Sequence, residues 1–325
     1  PLDTHMLNSS AYTDTNYVFI TEVFMLIKKE RFHFAQEEEG QLMVDVTDRV
    51  NNRPIDGASV SISFVGDPQD TLEQLTTDSN GMTEEIDLAA PPRSYSEYPL
   101  SDVQPYSEYN LIITAPGYEP TTISGSEIFS GELSIQPVRL NPVLPNASAS
   151  VINIPANTLW GVFPPKIPED EIKPVRSSGE IVLSRVVIPE YVVVHDGVPS
   201  DSSATDYYVR YADYIKNVAS SEIYSTWPEA TLRANITAIM SFTLNRVYTE
   251  WYRNKGYDFT ITTSTAYDHK WVYGRNIFDS ISRIVDEIFA SYVSRPNVKQ
   301  PILTQYCDGK RVSCPNAMSQ WGSKA

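Results

Sequence analysis

The sequence predicts a multidomain protein in which a β-sandwich precedes an α+β domain. Apolar and polar residues alternate with a period of two between residues 40 and 142, and helical spacing dominates after residue 207. The charge also changes along the chain. Residues 1–200 hold 11 Lys and Arg against 29 Asp and Glu, whereas residues 201–325 hold 14 against 12. This asymmetry suggests two units with different roles.

Composition excludes several classes of protein. The 325 residues are 41% hydrophobic and 20% charged, so the chain is not wholly disordered. No apolar run approaches the roughly 18 residues of a membrane-spanning helix, so we predict no membrane span in this chain. A net charge of −16 argues against nucleic acid as a partner. Two cysteines are too few for a disulfide scaffold.

Residues 1–40 are interpreted as a tag remnant followed by an N-terminal segment. The first six residues, PLDTHM, are typical of a cloning remnant, and no signal peptide follows them. This is consistent with removal of a native leader. An apolar stretch at 17–27 and a charged stretch after it predict a helix or strand with a charged tail.

Residues 41–142 predict an immunoglobulin-like β-sandwich. The strand candidates are 41–47, 59–64, 109–114 and 132–140, and a tight-turn signal lies at 78–81. Short strands at this spacing favour a sandwich. The stretch also resembles the carboxypeptidase-regulatory-like, or transthyretin-like, family, through PIDGASVSI (54–62), TDSNG (77–81) and APGY (115–118). Such sandwiches are usually spacers or adhesion modules, and we identify no catalytic set here.

Residues 143–178 are predicted to be a linker that seven prolines, counted from Pro142, stiffen towards extended conformations. Two strands, at 179–183 and 191–195, are expected to open the last domain, which spans 179–325.

The first helix of this domain is predicted over about 207–224. Its apolar positions Tyr211, Tyr214, Ile215 and Val218 are three or four residues apart and mark one buried face. Glu222 is the next position on that face. Removal of a carboxylate from water raises its pKa, and a neutral carboxylic acid can protonate a leaving oxygen. Glu222 is therefore a candidate general acid; the alternative is that it caps the following helix or pairs with an arginine.

Two more helices are predicted downstream. Thr226 and Glu229 fit a capping box for a helix that Gly256 would end. Helical spacing then predicts a third helix over about 276–293. Strands are expected at 258–262 and 301–306.

The residues from about 186 to 325 resemble the stage II sporulation protein D family and its related amidase enhancers. The resemblance rests on DYIKNVASSEI (213–223), TWPEA (226–230) with LRAN (232–235), and SQWGS (319–323). A Tyr-Gly step at 273–274 matches a further family feature. Three ordered motifs over some 40% of the chain make the resemblance specific.

The resemblance implies a lytic transglycosylase that cleaves peptidoglycan between N-acetylmuramic acid and N-acetylglucosamine, in cell-wall remodelling or sporulation. Glu222 aligns with the family's catalytic glutamate, and one acid/base carboxyl is enough for this chemistry. The implied partners are peptidoglycan glycan strands and a cell-wall amidase, at the wall or surface of a bacterium. The implied substrate-binding residues are Tyr267, Asp268, Tyr273, Asn235, Ser319, Gln320 and Trp321.

Some positions depart from the family pattern. Ile223 replaces a methionine, Asn235 replaces a glutamine, and Met240 replaces an arginine. The chain also ends two residues after SQWGS, where family members continue, so the domain is expected to be C-terminally incomplete. Loss of the arginine favours an alternative function, a non-catalytic peptidoglycan-binding or amidase-activating module. Retention of Glu222 favours the enzyme.

The two cysteines leave three alternatives open. Some family members bind zinc through one His and two Cys, and His269, Cys307 and Cys314 are the equivalent set here. Such ligands suit a structural tetrahedral zinc, which transglycosylation itself does not require. The six residues between the cysteines exceed the usual spacer of a zinc ribbon. A disulfide that closes a small loop, or two free thiols, are the other possibilities.

Overall fold

The computed structural model describes residues 38–99, 101, 103–144, 149–169 and 182–324. Residues 1–37 of the predicted N-terminal segment (1–40) lie outside the described residues, whereas residues 38–40 belong to the first strand. Residues 170–181, which include the end of the predicted linker, also lie outside the described residues. Within the described ranges, no helix is both long enough and apolar enough to cross a membrane.

The N-terminal region is built from two sheets. One has the strand order β3-β2-β5-β6-β8, and the other has the order β12-β7-β1-β4. Its first eight strands are β1 (Glu38–Asp48), β2 (Ser59–Phe64), β3 (Asp67–Thr76), β4 (Ile86–Ala90), β5 (Ser107–Thr114), β6 (Thr121–Ile128), β7 (Leu133–Leu140) and β8 (Ser150–Asn153). The predicted β-rich region is thus confirmed, and β8 adds part of the predicted linker to the first sheet, parallel to β6.

Alternation places the apolar face of each strand in the sandwich core. Leu42, Val44 and Val46 of β1 are fully buried while the residues between them are partly exposed. The predicted turn at 78–81 is present, and Asp78 Oδ1 accepts hydrogen bonds from the backbone N–H groups of Asn80 (2.9 Å) and Met82 (3.0 Å). Gly81 has φ +79°, and a Cβ there would lie 2.5 Å from the carbonyl oxygen of Val46.

The C-terminal region contains three helices and small sheets. The helices are α1 (Tyr211–Glu222), α2 (Glu229–Tyr248) and α3 (Asp279–Ile288). β9 (Tyr191–His195), β10 (Asp206–Arg210) and β11 (Ile261–Thr262) form one sheet, and β13 (Tyr306–Cys307) pairs with β14 (Met318–Ser319). The two-residue strand β12 (Ile277–Phe278) joins the sandwich instead.

Several predicted boundaries were wrong. Residues 206–210 are not the start of α1, because they pair with β9 as an antiparallel strand. Residues 182–183 form no strand. The strands predicted at 258–262 and 301–306 shorten to Ile261–Thr262 and Tyr306–Cys307, and the third helix begins three residues late and ends at Ile288. Helical spacing does not predict where α1 and α3 begin, because the residues before them pair with neighbouring strands.

The predicted capping box was also wrong. No side chain caps α2 at its N-terminus. The Thr226 hydroxyl instead bonds to Ser96 of the sandwich region (2.6 Å), and Glu229 pairs with Arg233 one turn later (2.7 Å). A contact between the two regions thus replaces the local cap.

The two regions have separate apolar cores and meet at a buried junction. β12 pairs antiparallel with β7, and the Asn276 side chain bonds to the backbone N–H and carbonyl of Glu127. Arg275 forms a fully buried ion pair with Glu127 at 2.7 Å. Beside them, Phe129 packs its ring against Phe278, at a centroid distance of 5.3 Å. The junction is therefore a packed interior rather than a hinge.

Candidate active site

Glu222 is the last residue of α1 and is only 4% exposed. One carboxyl oxygen, Oε1, accepts a hydrogen bond from the backbone N–H of Lys270 at 2.6 Å. The other, Oε2, accepts one from the Tyr306 hydroxyl. The Gln320 amide donates to the Glu222 carbonyl at 2.9 Å, so the backbone at the helix end is held as well. Two segments distant in sequence thus fix the carboxyl group, and a third fixes the backbone of the same residue.

Burial raises the pKa of the Glu222 carboxyl, because the charged form loses its hydration. The C-terminus of α1 acts in the same direction, since its carbonyl groups disfavour a nearby negative charge. The Lys166 ammonium and the hydrogen bonds from Tyr306 and Lys270 oppose this rise. On balance the pKa of Glu222 is raised, so its carboxyl keeps a proton to higher pH than an exposed glutamate does. A general acid requires this property.

A strap, defined here as residues 155–169, lies across the end of α1. The Thr158 backbone N–H donates to the Ser221 carbonyl at 2.9 Å, and the Asn157 amide donates to the carbonyls of Ser220 and Ile223, both at 3.3 Å. These contacts satisfy carbonyl groups that a helix end leaves unpaired. The prolines of this segment therefore stiffen a structured element that packs on the C-terminal region.

Lys166 brings a cation from the strap into the site. Its ammonium donates to the Asp268 carbonyl and lies 4.9 Å from the ring centre of Phe242 and 5.3 Å from that of Tyr306. Burial lowers the pKa of Lys166, while the charges of Glu222 and Asp268 oppose that fall. The cation is thus held next to the candidate acid by aromatic faces and negative charge.

Asp268 is fully buried, and four donors surround its carboxylate. They are Arg246 Nε (2.7 Å), the Tyr252 hydroxyl (2.6 Å), and the backbone N–H (2.9 Å) and hydroxyl (2.7 Å) of Thr262. Arg246 also makes a two-fold contact with Glu169 of the strap, at 2.7 and 2.8 Å. The geometry makes Asp268 an anchor for the site, while its sugar-binding role stays a prediction.

The structure joins Cys307 to Cys314 in a disulfide. A disulfide sulfur lacks the thiolate charge that binds zinc, so the set with His269 does not fit a metal in this state. Within the described ranges, no cluster of three or more His, Cys, Asp or Glu residues could hold a metal ion. Burial lowers the pKa of His269 well below its ordinary value, and its Nδ1 contacts the Tyr214 hydroxyl at 3.1 Å. The disulfide is consistent with an extracytoplasmic location.

Two predicted substrate-binding residues lie in the packed interior. The Asn235 amide donates to the Thr231 carbonyl (2.8 Å) and to the Ser323 hydroxyl (2.9 Å). Trp321 is buried against Trp227, with ring centres 4.8 Å apart. Both side chains are committed to contacts within the chain.

Ser319 and Tyr267 lie nearer the surface. The Ser319 hydroxyl donates to the Asp308 carbonyl (3.5 Å) and accepts from the Gly322 N–H (2.8 Å). Tyr267 is 37% exposed, and its carbonyl accepts from Arg246 at 3.1 Å. Among the predicted substrate-binding residues, Gln320 contacts residue 222 directly, through its carbonyl. The contribution of these residues to sugar binding stays a prediction.

Tyr273 lies in a separate pocket, at the junction of the two regions. This junction pocket has a volume of about 450 Å³. The Arg49 guanidinium contacts the Tyr273 hydroxyl and lies 5.5 Å from its ring centre. The Tyr207 ring stacks on the other tyrosine, with centres 5.0 Å apart. The pocket therefore combines aromatic and cationic groups from both regions.

Three residues of the site were not predicted from the sequence: Lys166, Arg246 and Tyr306. One signal was available for Arg246, which follows Leu232, Ile236, Ile239 and Thr243 on the same apolar face of α2. A charge on a buried face is the pattern that identified Glu222. The other two residues lie outside helices, where no spacing rule predicts which interior they enter.

Comparison with known proteins finds partial similarity to solved structures, over about a third of this chain. No family model and no curated protein matches the sequence. Among solved structures, Klebsiella pneumoniae 5-hydroxyisourate hydrolase is 20% identical (TM-score 0.21; 32% of this chain, 92% of that chain). The Streptococcus agalactiae minor pilin GBS52 is 17% identical (0.23; 35% and 49%), and the Bacillus anthracis TIE protein is 16% identical (0.23; 33% and 17%). The chain thus spans about half of the pilin chain and a sixth of the TIE protein.

Proposed function

We propose that the chain is a peptidoglycan lytic transglycosylase in which Glu222 is the acid/base, acting in cell-wall remodelling or sporulation. One observation carries the proposal. A carboxyl group on the buried face of α1 is held at both oxygens, by the Lys270 N–H and the Tyr306 hydroxyl, and burial raises its pKa. The sequence resemblance over residues 186–325 aligns the same residue with the glutamate that the stage II sporulation protein D family uses.

The proposed reaction needs no water. Glu222 donates its proton to the glycosidic oxygen while the bond from this oxygen to the anomeric carbon breaks. The 6-hydroxyl oxygen of the N-acetylmuramic acid unit then bonds to that carbon, and its proton returns to the Glu222 carboxylate. The products are a 1,6-anhydro end and a free 4-hydroxyl on the leaving strand, and the enzyme is regenerated.

The surroundings of Asp268 support chemistry that relies on a single carboxyl group. Most glycosidases use two carboxyl groups, one of which activates water or attacks the sugar. The Asp268 carboxylate is instead occupied by Arg246, Tyr252 and Thr262. It has no free position from which to activate a nucleophile, so intramolecular attack by the sugar suits this site better than hydrolysis.

The test uses purified glycan strands, with and without stem peptides, and mass spectrometry of the products. We expect anhydromuramic ends from the parent and a loss of roughly 100-fold or more in rate from Glu222→Gln. Glu229→Gln, which changes an exposed glutamate on α2, is the matched control and should retain the rate. Reducing ends in place of anhydro ends would show that the chain is a hydrolase and would contradict the proposed transglycosylase.

A non-catalytic wall-binding or amidase-activating module is the second candidate. It is favoured by the burial of Glu222 at the helix end that the strap crosses, and by Met240 in place of the family arginine. Binding of the strands without cleavage by either the parent or Glu222→Gln would support it. Assays with an added wall amidase would then separate activation from binding alone.

A further inference from the structure

The junction pocket draws its walls from both regions. Arg49 follows β1 and Arg139 lies on β7, whereas Tyr207 comes from β10. The segment 270–273 forms the wall nearest the candidate acid. The remaining lining residues are Ser150, Val151, Ile152, Asn153, Pro155 and Asp196. Its volume lies in the usual range of ligand pockets, about 300–1,000 Å³.

Aromatic rings give one side of the pocket flat apolar faces. Tyr207 and Tyr273 are stacked with 23° between their planes, and both are half-buried. Trp271 lies beside them, 5.2 Å from the Tyr207 ring centre. Partly exposed aromatic faces next to polar groups suit a sugar ring, which has both apolar C–H faces and hydroxyl edges.

The charged groups of the pocket favour an anion. Arg49, Arg139 and Lys270 contribute three positive charges against the single negative charge of Asp196, in a chain whose net charge is −16. Among the described residues, no carboxylate lies within 4.0 Å of these three cations. Asp45 acts on Arg139, and Asp196 and Glu222 act on Lys270, through longer-range charge interactions. Cations that gather without a direct ion pair, in an otherwise acidic molecule, attract a negatively charged ligand.

Lys270 connects the pocket to the candidate acid. Its side chain lines the pocket, while its backbone N–H donates to Glu222 Oε1 at 2.6 Å. One residue therefore separates the pocket wall from the carboxyl group. Lys270 is thus shared by the pocket wall and by the surroundings of the candidate acid.

We propose that the junction pocket binds a carboxylate-bearing N-acetylamino sugar unit of the glycan, next to the unit cleaved at Glu222. This inference rests on the proposed function for its glycan context. The aromatic group formed by Tyr207, Trp271 and Tyr273 takes the sugar ring, and Arg49 and Arg139 of the sandwich pair with the carboxylate. The sandwich thereby contributes to substrate choice.

The test is calorimetric titration of the full chain carrying Glu222→Gln, which removes the acid. The probes are chitotetraose, a peptide-free tetrasaccharide of alternating N-acetylglucosamine and N-acetylmuramic acid, and the same tetrasaccharide with stem peptides. Only the peptide-free tetrasaccharide keeps the carboxylate of N-acetylmuramic acid, because a stem peptide is attached to that group as an amide. We expect this peptide-free acidic probe to bind at least tenfold tighter than chitotetraose, in a salt-sensitive manner. Equal binding of the two peptide-free probes would overturn the proposal. A gain confined to the peptide-bearing probe would overturn the sugar as the source of the carboxylate.

Variants assign the binding to the pocket. Arg49→Gln combined with Arg139→Gln should weaken binding of the peptide-free acidic probe roughly tenfold or more. Binding of chitotetraose should stay unchanged. Arg49→Lys with Arg139→Lys keeps the charge and should retain most of the preference, which separates recognition from misfolding. Arg283→Gln, an exposed arginine on α3, is the control. Unchanged binding in the double Gln variant would overturn the proposal.

Failure of this proposal is distinguishable from failure of the proposed function. Cleavage by the parent with no preference for the peptide-free acidic probe would support the transglycosylase and contradict the proposed role of the pocket. Arginine-dependent binding of the peptide-free acidic probe without cleavage would support the proposed role of the pocket and contradict the proposed enzyme activity.

Discussion

The sandwich and the C-terminal region fill their interiors differently. The sandwich core is largely aliphatic, with Leu42, Val60 and Leu111 fully buried. The C-terminal region also buries polar and charged side chains, among them Glu222 and Asp268. Buried charge is costly unless it is paired and hydrogen-bonded. Alternating apolar residues thus build the scaffold, while buried charges lie at the candidate site and at the junction of the two regions.

One buried ion pair lies where the two regions meet. Glu127 of β6 and Arg275 are both fully buried, and the pair belongs to the junction rather than to the candidate site. The pair distinguishes the two kinds of buried charge, because its loss should affect the stability of the fold, whereas changes around Glu222 should affect the rate of cleavage.

The largest effect is expected from Arg275→Met. Breaking a buried ion pair costs about 3–5 kcal/mol, so the free energy of unfolding should fall by about 3 kcal/mol or more. Burial raises the pKa of Glu127 to about 7 even with Arg275 beside it, and removal of the guanidinium raises this pKa further. The folded variant must then hold a proton on Glu127, so this group's contribution to stability is fully present below about pH 4.5 and is lost as pH rises through the raised pKa. Urea denaturation at pH 5 and pH 8 measures this.

The control for this variant is Arg283→Met, because Arg283 is 69% exposed and pairs with Asp279 on the surface of α3. It should change the free energy of unfolding by less than about 1 kcal/mol. A loss in Arg275→Met that is equal at pH 5 and pH 8 would contradict the role of Glu127.

An intermediate effect is expected from Tyr306→Phe. The variant removes the hydroxyl that donates to Glu222 Oε2, and a hydrogen bond to a charged group is worth about 1.5–3 kcal/mol. We expect the rate of glycan cleavage to fall roughly tenfold. The pKa of Glu222 should rise, because that hydrogen bond stabilises the carboxylate. Since the acid must be protonated, the alkaline limb of the pH–rate profile should move to higher pH.

Tyr214→Phe is the matched control for Tyr306→Phe. Its hydroxyl is also buried but contacts His269, so the alkaline limb should stay in place. An unshifted limb in Tyr306→Phe would reduce Tyr306 to a packing role.

The smallest effect is expected from Lys166→Met. Its ammonium lowers the pKa of Glu222, so removal of the charge should move the alkaline limb to higher pH. Because Met keeps much of the aliphatic stem, the rate at the optimum should change only a few-fold. Lys299→Met, an exposed lysine, serves as the control. A shift of the alkaline limb to lower pH would contradict the expectation that the Lys166 charge lowers the pKa of Glu222.

The sequence predicted the β-rich and helix-containing regions because periodicity reports which face is buried. Glu222 was predicted to be buried for the same reason, since it continues the face marked by Tyr214 and Val218. The site around it was not predictable, because Lys166, Lys270 and Tyr306 approach from three non-helical segments. Their meeting depends on tertiary packing, which no local pattern encodes.

The junction itself was missed for a similar reason. Residues 277–278 were predicted to begin a helix, yet they pair with β7 before α3 starts. A two-residue strand carries no periodic signal of its own. Arg275 and Asn276 precede it and show in the sequence only as polar residues at a predicted helix end.

The short strand β12 has a consequence for how such a chain can be inherited. β12 covers the outer side of β7, which would otherwise be an open sheet edge. Recombination that replaced this sandwich with another would have to supply an edge that accepts β12 and a carboxylate opposite Arg275. The two regions therefore form one heritable module, and sandwiches that accompany related C-terminal regions should change together with their partner strand.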